Sequence, residues 1–92
     1  REGEPVTVRA HHLDVNHHVN NGQFVRIAMD SLGSSFQVRQ LRAEYKKQVM
    51  LGEVLIPCTA ALEDGKSVVV LKDDKGVVCC AVELCEAERE PV

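Results

Sequence analysis

The chain has 92 residues, of which 45% are hydrophobic, 27% charged and 3% aromatic, and its formal net charge is −3. This describes one small globular domain. It lacks the basic excess of a general nucleic-acid binder and any apolar run of the roughly 18 residues that a membrane span needs. A domain of this size buries only about 60% of the surface its unfolded chain exposes, so a partner surface would help it. The sequence opens Arg1-Glu2-Gly3-Glu4, without Met or a signal peptide, and reads as a piece of a longer chain.

Pro5 to Ala10 alternates apolar and polar residues and predicts a strand. His11 to His18 is polar and irregular, a loop that holds all four histidines of the chain. Asn20 or Asn21 suits the N-cap of the helix that follows. In that segment Phe24, Val25, Ile27, Ala28, Met29 and Leu32 leave a polar stripe of only Gln23, Arg26 and Asp30. Such a stripe predicts a helix buried nearly all round, and Gly33 fits the left-handed residue that ends it.

Period two then takes over. Phe36 to Met50 has apolar phases that slip between Val38 and Leu41, the mark of a bulge. Leu51-Gly52-Glu53 is a turn. Val54 to Leu62 places Val54, Ile56, Cys58, Ala60 and Leu62 on one face. Glu63-Asp64-Gly65-Lys66 is a turn with an Asp-Gly signal. Ser67 to Lys72 is a Val-rich strand, Asp73-Asp74-Lys75-Gly76 turns again, Val77 to Glu86 is the last strand, and Ala87 to Val92 is a charged tail.

Short connections favour antiparallel pairing of consecutive strands. The expected class is α+β with a hotdog fold, one long buried helix wrapped by a curved antiparallel sheet, over residues 1–92. A generic α+β sandwich with the helix on one sheet face is the alternative.

Cys58, Cys79, Cys80 and Cys85 form no C-x-x-C pair and sit inside strand patterns, so they read as buried thiols in a reduced compartment. Cys79 and Cys80 are adjacent and should point to opposite faces. The His-His pairs match no zinc spacing and have no Cys close in sequence, so no metal or cofactor is expected. His11, His12 and His17 read as solvated or helix-adjacent polar residues. Arg39, Arg42, Lys46 and Lys47 put four of the eleven cations on one predicted strand. They read as a charge-guarded edge ahead of a docking patch for an acidic partner.

The polar loop ends where the helix begins. First-turn N–H groups lack intrahelical partners and carry positive potential, so they can hold a carbonyl oxygen that gains negative charge. Asn21 and Gly22 are the candidates for those amides. Asp14 and His18 can supply base or nucleophile chemistry, and Asn16 can donate to the carbonyl or orient water. These are the parts of an acyl-transfer site.

Asp14-Val15-Asn16-His17-His18-Val19-Asn20-Asn21 resembles the D-x-N-x-H-V-N-N signature of plant and bacterial acyl-ACP thioesterases. Ala43-Glu44-Tyr45-Lys46-Lys47-Gln48 with Leu51-Gly52-Glu53-Val54 is similar to that family's E-Y-[RK]-[RK] strand and G-[DE]-x-[VL] turn. The resemblance runs from about Val6 to Glu86 and corresponds to the C-terminal of two hotdog repeats. It implies Asp14, Asn16 and His18 as catalytic residues. The fourth catalytic position, usually Glu, falls on Gln48, which cannot take a proton from water. The upstream acid is replaced by His12.

The resemblance further implies a fatty acyl thioester on acyl carrier protein as substrate, a role in fatty acid biosynthesis, and an N-terminal hotdog repeat as partner. A homo-oligomer partner, an acyl-CoA thioesterase, and a non-catalytic half that binds acyl chains or forms an interface stay open, with a hotdog dehydratase behind them. Free cysteines and the missing targeting segment point to bacterial cytoplasm. A plastid origin stays open if a transit peptide was trimmed.

Overall fold

A computed structural model describes residues 2–15, 17–32, 38–63 and 65–86. Its elements run β1 (Val6–Thr7), a 3₁₀ turn (Ala10–His12), α1 (Asn21–Leu32), β2 (Val38–Tyr45), β3 (Val54–Ala61), β4 (Lys66–Lys72) and β5 (Val78–Glu86). The strands form one antiparallel sheet in the order β1-β3-β4-β5-β2. β3, β4 and β5 follow one another as hairpins. β2 lies beyond β5 at the far edge, so residues 46–53 carry the chain back to β3.

The predicted first strand is shorter than its alternation suggests. Pairing covers Val6–Thr7, although Val8 continues the ladder by donating to the Glu53 carbonyl at 2.8 Å and accepting from the Gly52 amide at 3.0 Å. The slip near Val38 is a bulge, because Val38 opposes Glu86 while Gln40 opposes Cys85. β2 ends at Tyr45, so Lys46 to Val49 lie outside it. Gly52 and Gly76 adopt φ of 84° and 81°. A Cβ at either would meet nothing within 4 Å, so backbone conformation rather than space calls for glycine at these turns. The proposed helix stop at Gly33, the strand start at Phe36, the turn residue Asp64 and the tail from Ala87 lie outside the described residues.

Registry defines the sheet face turned to α1. Leu71 opposes Pro57 and Cys80, Val69 opposes Thr59 and Val82, and Tyr45 opposes Cys80. Leu55, Val69, Leu71, Cys80, Val82 and Leu84 on that face are fully buried, each larger aliphatic one contributing about 1.5–3 kcal/mol. Phe24, Ile27 and Ala28 of the helix pack on them.

The β3 residues expected to share a face do so, and one helix expectation changes. The face of β3 carrying Val54, Ile56 and Cys58 is half-buried, and Leu55 is the residue turned into the core. The helix is buried along one side only. Met29 is 38% exposed, and Arg26, Asp30 and Ser31 are open. A single sheet covers one side of a cylinder and leaves the other free.

All four cysteines are free thiols. Cys80 lies in the core, where burial pushes its thiol up to about 11. Cys79 falls at the register shift between Leu71 and Lys72 and is buried in the same core cluster, and burial raises its thiol too. Both are held as unreactive thiols.

Candidate active site

Asn20 starts the helix. Its Oδ1 accepts from the Gly22 amide at 2.8 Å, and its carbonyl accepts from the Gln23 and Phe24 amides at 2.9 and 3.2 Å. An Asn at this place satisfies first-turn donors from both its side chain and its backbone. The Gly22 amide is therefore engaged by the cap. Asn21 N–H is the first-turn amide that no other described residue engages, and Asn21 is exposed. Tyr45 from the end of β2 reaches over this point, with its hydroxyl 3.5 Å from the Asn21 carbonyl and its ring 6.1 Å from that of Phe24.

The loop before the cap is a tight reversal. Leu13 and Val19 bridge antiparallel. The Asp14 amide donates to the His18 carbonyl at 2.8 Å, and the His18 amide donates to Asp14 Oδ1 at 3.2 Å. Asp14 and His18 thus oppose each other across the loop, and the Asp14 carboxylate turns back onto the His18 amide. His17 closes the reversal at φ 64° and donates to the Asp14 carbonyl at 3.0 Å. Asp14 and His18 are half-buried, and Val15 at the tip is 93% exposed. Asn16 lies outside the described residues.

Two flanks hold the loop. Asn20 N–H donates to the His12 carbonyl at 2.8 Å, and Val19 N–H donates to the Val49 carbonyl at 2.7 Å. His18 also bridges Met50. Gln48 is exposed, next to Val49 on the segment that the loop pairs with. The fold therefore brings Asp14, His18, Asn21 and the Gln48 segment to the start of α1.

Of the two settings expected for His12, solvated or helix-adjacent, it takes the second, with its carbonyl against the helix cap at Asn20. It is 8% exposed, and its Nδ1 accepts from the Arg9 amide at 2.9 Å, which places the proton of the neutral ring on Nε2. Burial, then the charges of His11 and Arg9, hold its imidazole below the ordinary 6.5. It also lines a groove of about 390 Å³ with Val6, Ile27, Asp30, Ser31 and Pro57. Among the described residues no cluster of His, Cys, Asp and Glu is arranged to hold a metal ion, and no helix is long and apolar enough to cross a membrane.

The cations expected on one strand divide. Lys46 and Lys47 lie past the end of β2. Lys46 pairs with Glu44 at 3.1 Å, and Lys47 with Asp73 at 2.6 Å. Asp73 is 3% exposed. Sequence reasoning read it only as a turn residue, because nothing in Asp73-Asp74 shows which of the two turns inward.

A family model described as acyl-ACP thioesterase C-terminal domain matches residues 1–84. No protein of curated function matches the chain. Among solved structures, an acyl-ACP thioesterase from Bacteroides thetaiotaomicron superposes with TM-score 0.84 at 18% identity, covering 95% of this chain and 37% of that one. The 12:0-ACP thioesterase from Umbellularia californica gives 0.80 at 22%, covering 91% and 34%. A hypothetical protein from Staphylococcus aureus in complex with CoA gives 0.84 at 18%, covering 92% and 73%. The chain thus spans about a third of the length of the two acyl-ACP thioesterases. The shared fold is the hotdog, one helix against an antiparallel sheet.

Proposed function

The chain belongs to the acyl-ACP thioesterase C-terminal domain family, and from that premise we propose that it is the catalytic hotdog half of a fatty acyl thioesterase. The observation that carries this reading is the double tie between Asp14 and His18 beside the first turn of α1. It holds Asp14 and His18 opposite each other in one short loop that leads into a helix N-terminus.

In the proposed reaction the thioester carbonyl lies by the Asn21 amide, with its oxygen in the positive field of the first turn. Asp14 takes a proton from water as the water oxygen attacks the carbonyl carbon. The tetrahedral intermediate collapses, the carbon–sulfur bond breaks, and His18 gives a proton to the leaving thiolate. The products are a free fatty acid and the carrier thiol. Direct attack by Asp14, giving an anhydride that water then opens, uses the same geometry. Asn16 serves as an amide donor to the carbonyl or the water. Gln48 orients water rather than deprotonating it. The Gly22 amide adds to the oxyanion only by sharing its bond to Asn20 Oδ1.

The proposed substrate is a fatty acyl group on acyl carrier protein, in the bacterial cytoplasm or a plastid. The proposed partner is an N-terminal hotdog repeat or a second copy. One observation favours a second reading. Gln48 is exposed and stands where the family's acid is expected, as it would in a half whose role is to shape a pocket or an interface.

The experiment is hydrolysis of a panel of acyl-ACP and acyl-CoA thioesters by the full protein and by its Asp14→Asn and His18→Ala variants. Activity that both substitutions abolish supports the catalytic reading. Activity that survives them removes Asp14 and His18 from the chemistry, and no hydrolysis by the parent protein favours the second reading.

A further inference from the structure

The Asp14–His18 loop rests on the Val49 carbonyl and on Met50, yet Lys46 to Val49 form no strand of their own. Their position is set from β5 and the β4–β5 turn. The Lys46 and Lys47 amides both donate to the Cys79 carbonyl, at 2.9 and 3.1 Å, and Lys47 Nζ meets Asp73 Oδ2 at 2.6 Å.

Asp73 is an anchored partner. Its Oδ1 accepts from the Lys75 and Val77 amides, each at 2.9 Å, and its side chain is 4% exposed. Two backbone donors and one ammonium leave this carboxylate little freedom, and a charge-assisted bond to a fixed acceptor is stronger than a neutral one. Lys47 is the more exposed member, with its side chain 41% exposed.

We propose that the Lys47–Asp73 ion pair is a positioning device for the active site. It fixes the segment whose Val49 carbonyl and Met50 backbone hold Val19 and His18 in place. This rests on the thioesterase reading for its consequence in catalysis. Neither residue touches substrate, so both act through the His18 loop. The path is short and continuous: Asp73 to Lys47 by side chain, two residues of backbone to Val49, and Val49 to Val19 by a 2.7 Å hydrogen bond.

The test uses Lys47→Met and Asp73→Asn, the second keeping a side-chain oxygen for the Lys75 and Val77 amides. Each is expected to lower kcat about tenfold, the order of loss for a small misplacement of catalytic groups, with KM unchanged. Lys47→Arg is expected to restore kcat. The double variant Lys47→Met/Asp73→Asn should be no worse than either single, since both remove the same link.

Hydrogen exchange gives a second readout that needs no activity. The Val19 amide should exchange faster in both single variants while amides in the middle of β4 keep their protection. Unchanged kcat per folded molecule, independent additive losses in the double variant, or unchanged Val19 exchange would each overturn the proposal. If the parent protein hydrolyses no thioester, the functional reading fails, and Val19 exchange alone decides on the device.

Discussion

Asp14 and His18 are joined across the loop twice, once through backbone alone at 2.8 Å and once from the His18 amide to the Asp14 carboxylate at 3.2 Å. The carboxylate therefore builds the loop, and in the proposed reaction it also serves as the base. Two substitutions separate these roles. Asp14→Asn keeps an oxygen for the His18 amide and loses the base. It should fold normally and lose roughly a hundredfold or more in kcat. Asp14→Ala should lose the same activity and about 1 kcal/mol of stability through the missing hydrogen bond. Steady-state hydrolysis beside urea unfolding of the two variants checks the division.

The cap at Asn20 predicts a second separation. Its side chain serves only the Gly22 amide among the described contacts. Asn20→Ala should cost about 1 kcal/mol, a fall of roughly 4–8 °C in melting temperature for a domain of this size. Asn20→Asp keeps the acceptor and adds a charge favourable at a helix N-terminus, so it should melt at or above the parent temperature. Calorimetry of the three proteins reads the order.

His12 gives the fold a pH dependence of known sign. Its folded-state pKa lies below 6.5 because burial disfavours the imidazolium. As pH falls through 6.5 the unfolded chain takes up a proton that the folded one refuses. Stability from this residue is thus complete above 6.5 and is lost as pH drops towards the folded value. Protonation at Nδ1 would also break the bond from the Arg9 amide. Urea midpoints between about pH 8 and about pH 5 should fall for the parent protein. They should fall less for His12→Asn, which offers the Arg9 amide an uncharged acceptor. An equal slope in both proteins would assign the dependence to other groups.

Much of this molecule is legible in its residues, for local reasons. The helix start at Asn20, the bulge near Val38 and the Gly-bearing turns at Gly52 and Gly76 each follow from the chemistry of one or two side chains, and each is found where expected. The closeness of Asp14 and His18 along the chain is legible, whereas their pairing across the loop is seen only in the structure. The inward turn of Asp73, its pairing with Lys47 and the burial of His12 are not legible. Each depends on contact with a distant segment: residue 47 with 73, and residue 12 with the cap at residue 20. The breadth of the helix's open side is hidden likewise, since its apolar residues would suit a partner surface as well as this sheet.

β3 shows that alternation alone does not say which face meets the core, and it supplies the last prediction. Val54, Ile56, Cys58 and Ala60 form the longer apolar series, but registry turns Leu55 and Pro57 towards α1, because Leu71 opposite Pro57 is a core residue. Alternation identifies a face without saying which layer covers it when both faces carry apolar groups. Leu55 is 0% exposed, so Leu55→Ala should leave a cavity and cost about 2–5 kcal/mol. Ile56 is only half-buried on the outer face. Ile56→Ala removes a similar volume without opening a core cavity, and should cost clearly less, about 1 kcal/mol. Urea unfolding of both variants decides the matter. Equal losses would mean that the outer face is covered in solution as fully as the inner one, and that the chain folds against a partner there.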